Sequence, residues 1–145
     1  MKIVIQIFCL PYEIDELENT LNQLRRASKY IDLSNEWVID VCMSTSNDMV
    51  NWPKSSIPKQ YFEEKLLKLK WQTDWCERNF RTSDTINGCV SHRRYCNDTY
   101  KDAQYFLWLD TDIIFEERTL SYLQNALQPI GDITKYSIIT PELVR

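Results

Sequence analysis

Two carboxylates with one residue between them, Asp110 and Asp112, close the apolar run Tyr105-Phe-Leu-Trp-Leu. Such a run predicts a central strand buried on both faces, as in a parallel sheet. Side chains two apart on a strand share a face. Asp110 and Asp112 are therefore expected to converge at the strand's carboxyl end, with Thr111 turned away. Two like charges placed together cost stability unless a cation or a shared proton joins them. Mg²⁺ and Mn²⁺ favour hard oxygen ligands, and Mg²⁺ is commonly held by one or two carboxylates plus substrate phosphates. The chemistry on offer is neutralisation of a diphosphate leaving group. The plainer reading makes one Asp a helix cap and leaves the other solvated.

His92, Arg93 and Arg94 form a basic cluster. Consecutive helix positions fan out around the axis, so one or two of the three can face a phosphate while the rest are solvated. The competing reading is a plain surface charge patch. Cys89, His92 and Cys96 share a helical face, with Cys76 upstream as a fourth candidate zinc ligand. Structural zinc usually takes close ligand pairs from loops, and cysteines at this spacing more often pack a core.

The elements that must position these residues read as an alternation. Residues 2–10 predict a first strand, ended by Pro11. A helix follows, with Ile14, Leu17, Leu21, Leu24 and Ile31 as its apolar stripe. Acids in its first turn (Glu13, Asp15, Glu16) and bases in its last (Arg25, Arg26, Lys29) suit the helix dipole. Those acids also make its start a poor phosphate cradle. Residues 36–43 predict a second strand, running into the polar turn Ser44-Thr-Ser-Asn-Asp48, and ligands of open α/β sheets bind at such carboxyl ends. Residues 51–58 read as irregular and residues 61–70 as a short helix, with Phe62, Leu66 and Leu69 inside and Glu64 paired to Lys68. Residues 71–81 give little signal beyond a short strand. The cap-forming residues 82–85 predict a helix running to about Ala103. After the acid pair come a helix striped by Leu120, Leu123 and Leu127, stopped by Pro129 and Gly131, and a last strand over residues 136–140. The whole predicts one α/β domain over residues 1–145 with a mostly parallel sheet flanked by helices.

The 145 residues, 43% hydrophobic and 26% charged, suit one globular domain with a real core. Net charge of −4 and a pI near 5.0 argue against a nucleic-acid partner. No run predicts a transmembrane segment. Gln6 and Pro11 favour a strand over a signal sequence at the N-terminus. Five cysteines without a C-x-x-C pair predict reduced thiols in a cytoplasmic protein, which leaves the Asn97-Asp98-Thr99 sequon without meaning.

Gly88, the helix after it and Tyr105-Phe-Leu-Trp-Leu-Asp110-Thr-Asp112 together resemble the central block of nucleotide-sugar glycosyltransferases of the GT-A fold, family 2-like. The first strand with Pro11-Tyr12-Glu13 is similar to that family's opening strand and loop, and Ile138-Ile-Thr-Pro141 resembles the strand after its Asp-x-Asp helix. The resemblance implies a Rossmann-like GT-A domain and a glycosyltransferase, of hexosyltransferase class, that uses a nucleotide-diphosphate sugar. It implies that Asp110 and Thr111 contact the donor, and that Asp112, with Asp110, holds Mn²⁺ or Mg²⁺. Pro11, Tyr12, Glu13, Ser44 and Asp48 would flank the base and ribose, and His92 or Arg93 would approach the nucleotide. Two departures stand out. Met43-Ser44-Thr45 occupies the end of strand two, where family members commonly carry acids. The family's second half, with its acceptor site and catalytic carboxylate, is also missing, and neither Asp132 nor Glu142 has motif context. The chain is thus expected to be a donor-binding half, truncated or completed by a second chain or domain. The acceptor, whether glycan, lipid or protein, stays open, as does the catalytic residue.

Two rival functions remain. A non-catalytic nucleotide-sugar-binding half-domain needs no base. A HAD-like phosphohydrolase also ends a hydrophobic strand in Asp-x-Asp, with the first Asp as nucleophile. That class carries the motif near its start, whereas here it falls late.

Overall fold

The computed structural model describes residues 1–50 and 56–127. Four strands form one sheet, β1 (Lys2–Cys9), β2 (Glu36–Ser44), β3 (Glu77–Ser83) and β4 (Tyr105–Leu109), in the order β3-β2-β1-β4. Every pairing is parallel. Helices α1 (Ile14–Ala27), α2 (Lys59–Gln72), α3 (Cys89–Thr99) and α4 (Thr119–Leu127) complete the alternation. This is an α/β architecture with Rossmann-like strand order.

The sheet forms because β1 and β2 are rich in Ile and Val, which suit a pleated surface covered on both sides. Their odd-numbered residues Ile3, Ile5, Ile7, Trp37, Ile39 and Val41 join Leu17, Leu21 and Leu24 of α1 and Phe62, Leu66 and Leu69 of α2 in the main core. The opposite face carries a smaller cluster, Val4, Val38, Cys96 and Tyr100, with Phe106 packed against it. Thus α1 and α2 cover one face and α3 the other. Right-handed crossovers require this split once the chain turns back past β1 to lay down β4.

Several expectations need correction. Helix α1 ends at Ala27, and Lys29 lies in the 3₁₀ turn Ser28–Tyr30 beyond it. Glu64 accepts from Gln60 Nε2 at 2.9 Å instead of pairing with Lys68. The expected helix over residues 82–103 shrinks to Cys89–Thr99, because Thr82 and Ser83 are drawn into β3 by pairing with Met43 and Ser44. Strand β4 is neither central nor buried on both faces: among the described strands it is outermost, and Trp108 is 57% exposed. The strand expected at residues 136–140, the stop signals Pro129 and Gly131, the acids Asp132 and Glu142, and residues 51–55 lie outside the described residues.

Candidate functional site

All four strands point the same way, so their carboxyl ends line one edge of the sheet. From β1 the chain steps outward to β2 and β3, and α3 then returns it to β4 on the other side of β1. The strand order thus reverses between β1 and β4, and the chain after β4 returns to the face of α1, where Leu120 joins the main core. In open α/β sheets, ligands bind in the crevice outside the carboxyl ends of the strands. At that end of the sheet the 3₁₀ turn Pro11–Glu13, after β1, meets Asp110-Thr111-Asp112, after β4.

Beyond Leu109 the strand parity does not continue. Thr111 and Asp112 lie in a turn, and the expected orientation is reversed: Thr111 is buried, whereas Asp110 and Asp112 are both exposed. The cause is a set of bonds to α1 and the turn before it. Thr20 Oγ1 donates to the Thr111 carbonyl at 2.9 Å. Gln23 accepts from the Phe115 amide at 3.0 Å and donates to the Ile113 carbonyl at 3.3 Å. Thr111 Oγ1 donates to Glu13 Oε2 at 3.1 Å, and Glu13 Oε1 accepts from the Leu10 amide at 2.8 Å. No hydrogen bond or ion pair engages the Asp110 or Asp112 carboxylate among the described residues. Exposed, unengaged carboxylate oxygens are the donor type that Mg²⁺ or Mn²⁺ takes, so the residues present fit such an ion.

The other expected binding residues differ in availability. Tyr12 is 71% exposed, while Pro11 is buried. Ser44 is buried and donates to the Ile86 carbonyl, fastening the end of β2 to the loop before α3. Asp48 is exposed, and its amide donates to Ser46 Oγ at 3.3 Å. Arg93 lies with its guanidinium 4.1 Å above the ring of Trp108, beside β4. His92 is turned inward, only 1% exposed.

His92 belongs to a buried polar network between the sheet and α3. At its centre is Asp40 of β2, fully buried. Asp40 Oδ1 accepts from Arg81 Nη1 at 2.5 Å; Oδ2 accepts from Asn79 Nδ2 at 3.0 Å and from the Tyr100 hydroxyl at 2.6 Å. The Arg81 guanidinium also stacks 3.5 Å from the Tyr95 ring centre. Arg81 Nη2 lies 3.1 Å from His92 Nδ1. Because arginine only donates, Nδ1 must accept and Nε2 carries the proton, directed at the Asp40 carbonyl at 3.4 Å. Burial lowers the His92 pKa below the ordinary imidazole value; Asp40 opposes the shift and Arg81 reinforces it. The ring is neutral.

Ligand atoms of Asp40, His92 and Cys96 all lie within 4.8 Å of one another, a spacing at which they could hold a metal ion. The hydrogen bonding argues otherwise. A cation on Nε2 would move the proton to Nδ1, against the donating Arg81. Burial also pushes the Cys96 thiol up to about 12, opposing the thiolate a metal needs. The expected zinc set is not gathered either. Cys96 packs beneath α3, Cys76 belongs to the core on the other side of the sheet, and Cys89 is exposed. Sequence reasoning missed this network, although an acid in the middle of an apolar strand marks a buried group that needs partners.

No family model, no curated protein and no solved structure matches this chain.

Proposed function

We propose that this chain binds a nucleotide-diphosphate sugar, together with Mn²⁺ or Mg²⁺, at the β1–β4 crevice, as the donor-binding part of a glycosyltransferase. The observation that carries this reading is the exposed pair Asp110 and Asp112, unengaged among the described residues and held by α1 at the carboxyl end of β4, beside Pro11–Glu13. Buried acids with full hydrogen bonding are structural; exposed acids fixed at a ligand-binding edge are poised for a cation. Asp112 and Asp110 would hold the ion, whose chemistry is to offset charge on the departing diphosphate. The chain's own contributions are positional. Tyr12 offers an exposed ring beside the crevice for a base, and Arg93, stacked on Trp108, presents guanidinium donors to a phosphate. His92 is spoken for by Asp40 and Arg81 and drops out of the nucleotide contacts. Ser44 shapes the edge through Ile86 and is a weaker contact candidate than exposed Asp48.

The test is calorimetric titration with UDP-, GDP- and TDP-sugars, with and without Mn²⁺, on the wild type and Asp112→Ala. Metal-dependent binding lost in Asp112→Ala is the expected result. A folded protein that binds no nucleotide under any condition would sink the reading. Donor hydrolysis or sugar transfer in the same mixtures marks an enzyme, binding without turnover marks a donor-binding module, and cleavage of a simple phosphomonoester instead would favour the phosphohydrolase.

A further inference from the structure

We infer that Glu13 is a positioning residue for the Asp110–Asp112 turn, acting through Thr111 and not as a ligand to donor or cation. The inference rests on the cation site proposed above. One Glu13 oxygen has a local task. The Glu13 amide donates to the Leu10 carbonyl at 2.9 Å, and Oε1 returns to the Leu10 amide at 2.8 Å, as a helix-start acid does. That task leaves Oε2 unexplained. Oε2 accepts from Thr111 Oγ1 at 3.1 Å, from a residue 98 positions away. The clasp ties the turn after β1 directly to the turn after β4.

The geometry fixes what the clasp does. Thr111 is 5% exposed, held by Glu13 at its hydroxyl and by Thr20 at its carbonyl. With the middle residue anchored at two points, Asp110 and Asp112 on either side face solvent. Without the hydroxyl bond, Thr111 keeps the Thr20 contact at its carbonyl but loses its side-chain anchor. The two flanking carboxylates then lose their fixed placement, while the sheet beneath is unchanged. Groups that orient metal ligands without touching the metal typically change affinity by 10–100-fold. Both Glu13 oxygens already accept hydrogen bonds, which disfavours direct ligation.

The test uses the full chain and Mn²⁺ alone, with free Mn²⁺ read by electron paramagnetic resonance and folding by circular dichroism and melting temperature. Thr111→Val removes the hydroxyl and keeps the shape and every charge. The expected result is Mn²⁺ binding weaker by about 10-fold with the fold intact. Glu13→Gln keeps an acceptor for the Leu10 amide and a partner for the Thr111 hydroxyl but removes the charge, so it is expected to bind nearly as the wild type, whereas Glu13→Ala should lose affinity as Thr111→Val does. A folded Thr111→Val that binds Mn²⁺ like the wild type overturns the inference. So does a Glu13→Gln as weak as Glu13→Ala, which would make Glu13 a source of charge or a ligand; this second comparison decides the matter even where Thr111→Val does not fold. A wild type with no Mn²⁺ binding sensitive to Asp112→Ala would instead refute the cation site itself, and the inference with it.

Discussion

Two groups of acids sit on the same sheet and have opposite fates. Asp40, in mid-strand on β2, is fully buried and takes hydrogen bonds from Arg81, Asn79 and Tyr100. Asp110 and Asp112, just beyond the end of β4, are exposed and engage no partner among the described residues. The first acid is spent on the fold, and its attraction to Arg81 must offset its own desolvation. The second pair is held in place by contacts to its neighbour Thr111, while its own carboxylates are used by nothing among the described residues. Residue type alone does not separate the two; saturation does.

The contrast breaks first at Asp40. Asp40→Ala strips the Arg81 guanidinium of its counter-charge and leaves Asn79 and Tyr100 short of an acceptor. A loss of about 3–5 kcal/mol is expected, measured by urea unfolding. Gln6 offers a test of the opposite sign. It pairs in register with Asp40, is 3% exposed, and neither polar atom of its side chain finds a partner among the described residues. Gln6→Leu removes an unsatisfied buried amide and should raise stability by about 1 kcal/mol in the same assay. A loss instead would show that the amide has a partner in solution.

Acid pH probes the network from a third side. The His92 pKa is lowered in the fold, so below the ordinary imidazole value near 6.5 the unfolded chain binds a proton that the folded chain refuses. Stability contributed by neutral His92 is complete above that value and declines as pH falls toward the folded pKa, by at most about 1.4 kcal/mol per pH unit. His92→Gln should flatten that part of the stability–pH curve. The smallest effect belongs to the exposed pair. Asp110→Ala and Asp112→Ala should each change unfolding free energy by no more than about 0.5 kcal/mol. A larger loss would place these acids with Asp40 as structural groups.

The sequence made the framework legible wherever one physical signal dominated. The Ile- and Val-rich runs of β1 and β2 are buried on both faces, and the stripes of α1 and α2 fall on the core as their spacing requires. Strand β3 was obscure because it is polar: of Glu77–Ser83 only Phe80 is buried, and Asn79 and Arg81 are there to serve Asp40. That need is visible only once β2 and β3 are neighbours. The same non-locality hid the orientation of Thr111. Strand alternation turned it away, whereas Glu13 and Thr20, each about 90 or more positions earlier, draw it in. The position of the acid pair could be read from local pattern, but not what holds it.

The pairing of β1 with β4 also bears on how the chain reaches its fold. Strands β1 and β2 are joined by one helix, whereas Lys2 meets Gln104, at the foot of β4, across 102 positions. Closing so long a loop is entropically costly and slow compared with local pairing. During synthesis the β1–β2–β3 unit is complete while one edge of β1, with Ile3, Ile5 and Ile7, still waits for Tyr105–Leu109. The meeting of Pro11–Glu13 with Asp110–Asp112 exists only after that late zipping step. A ligand seated there would grip both ends of the longest loop in the described sheet and oppose its reopening.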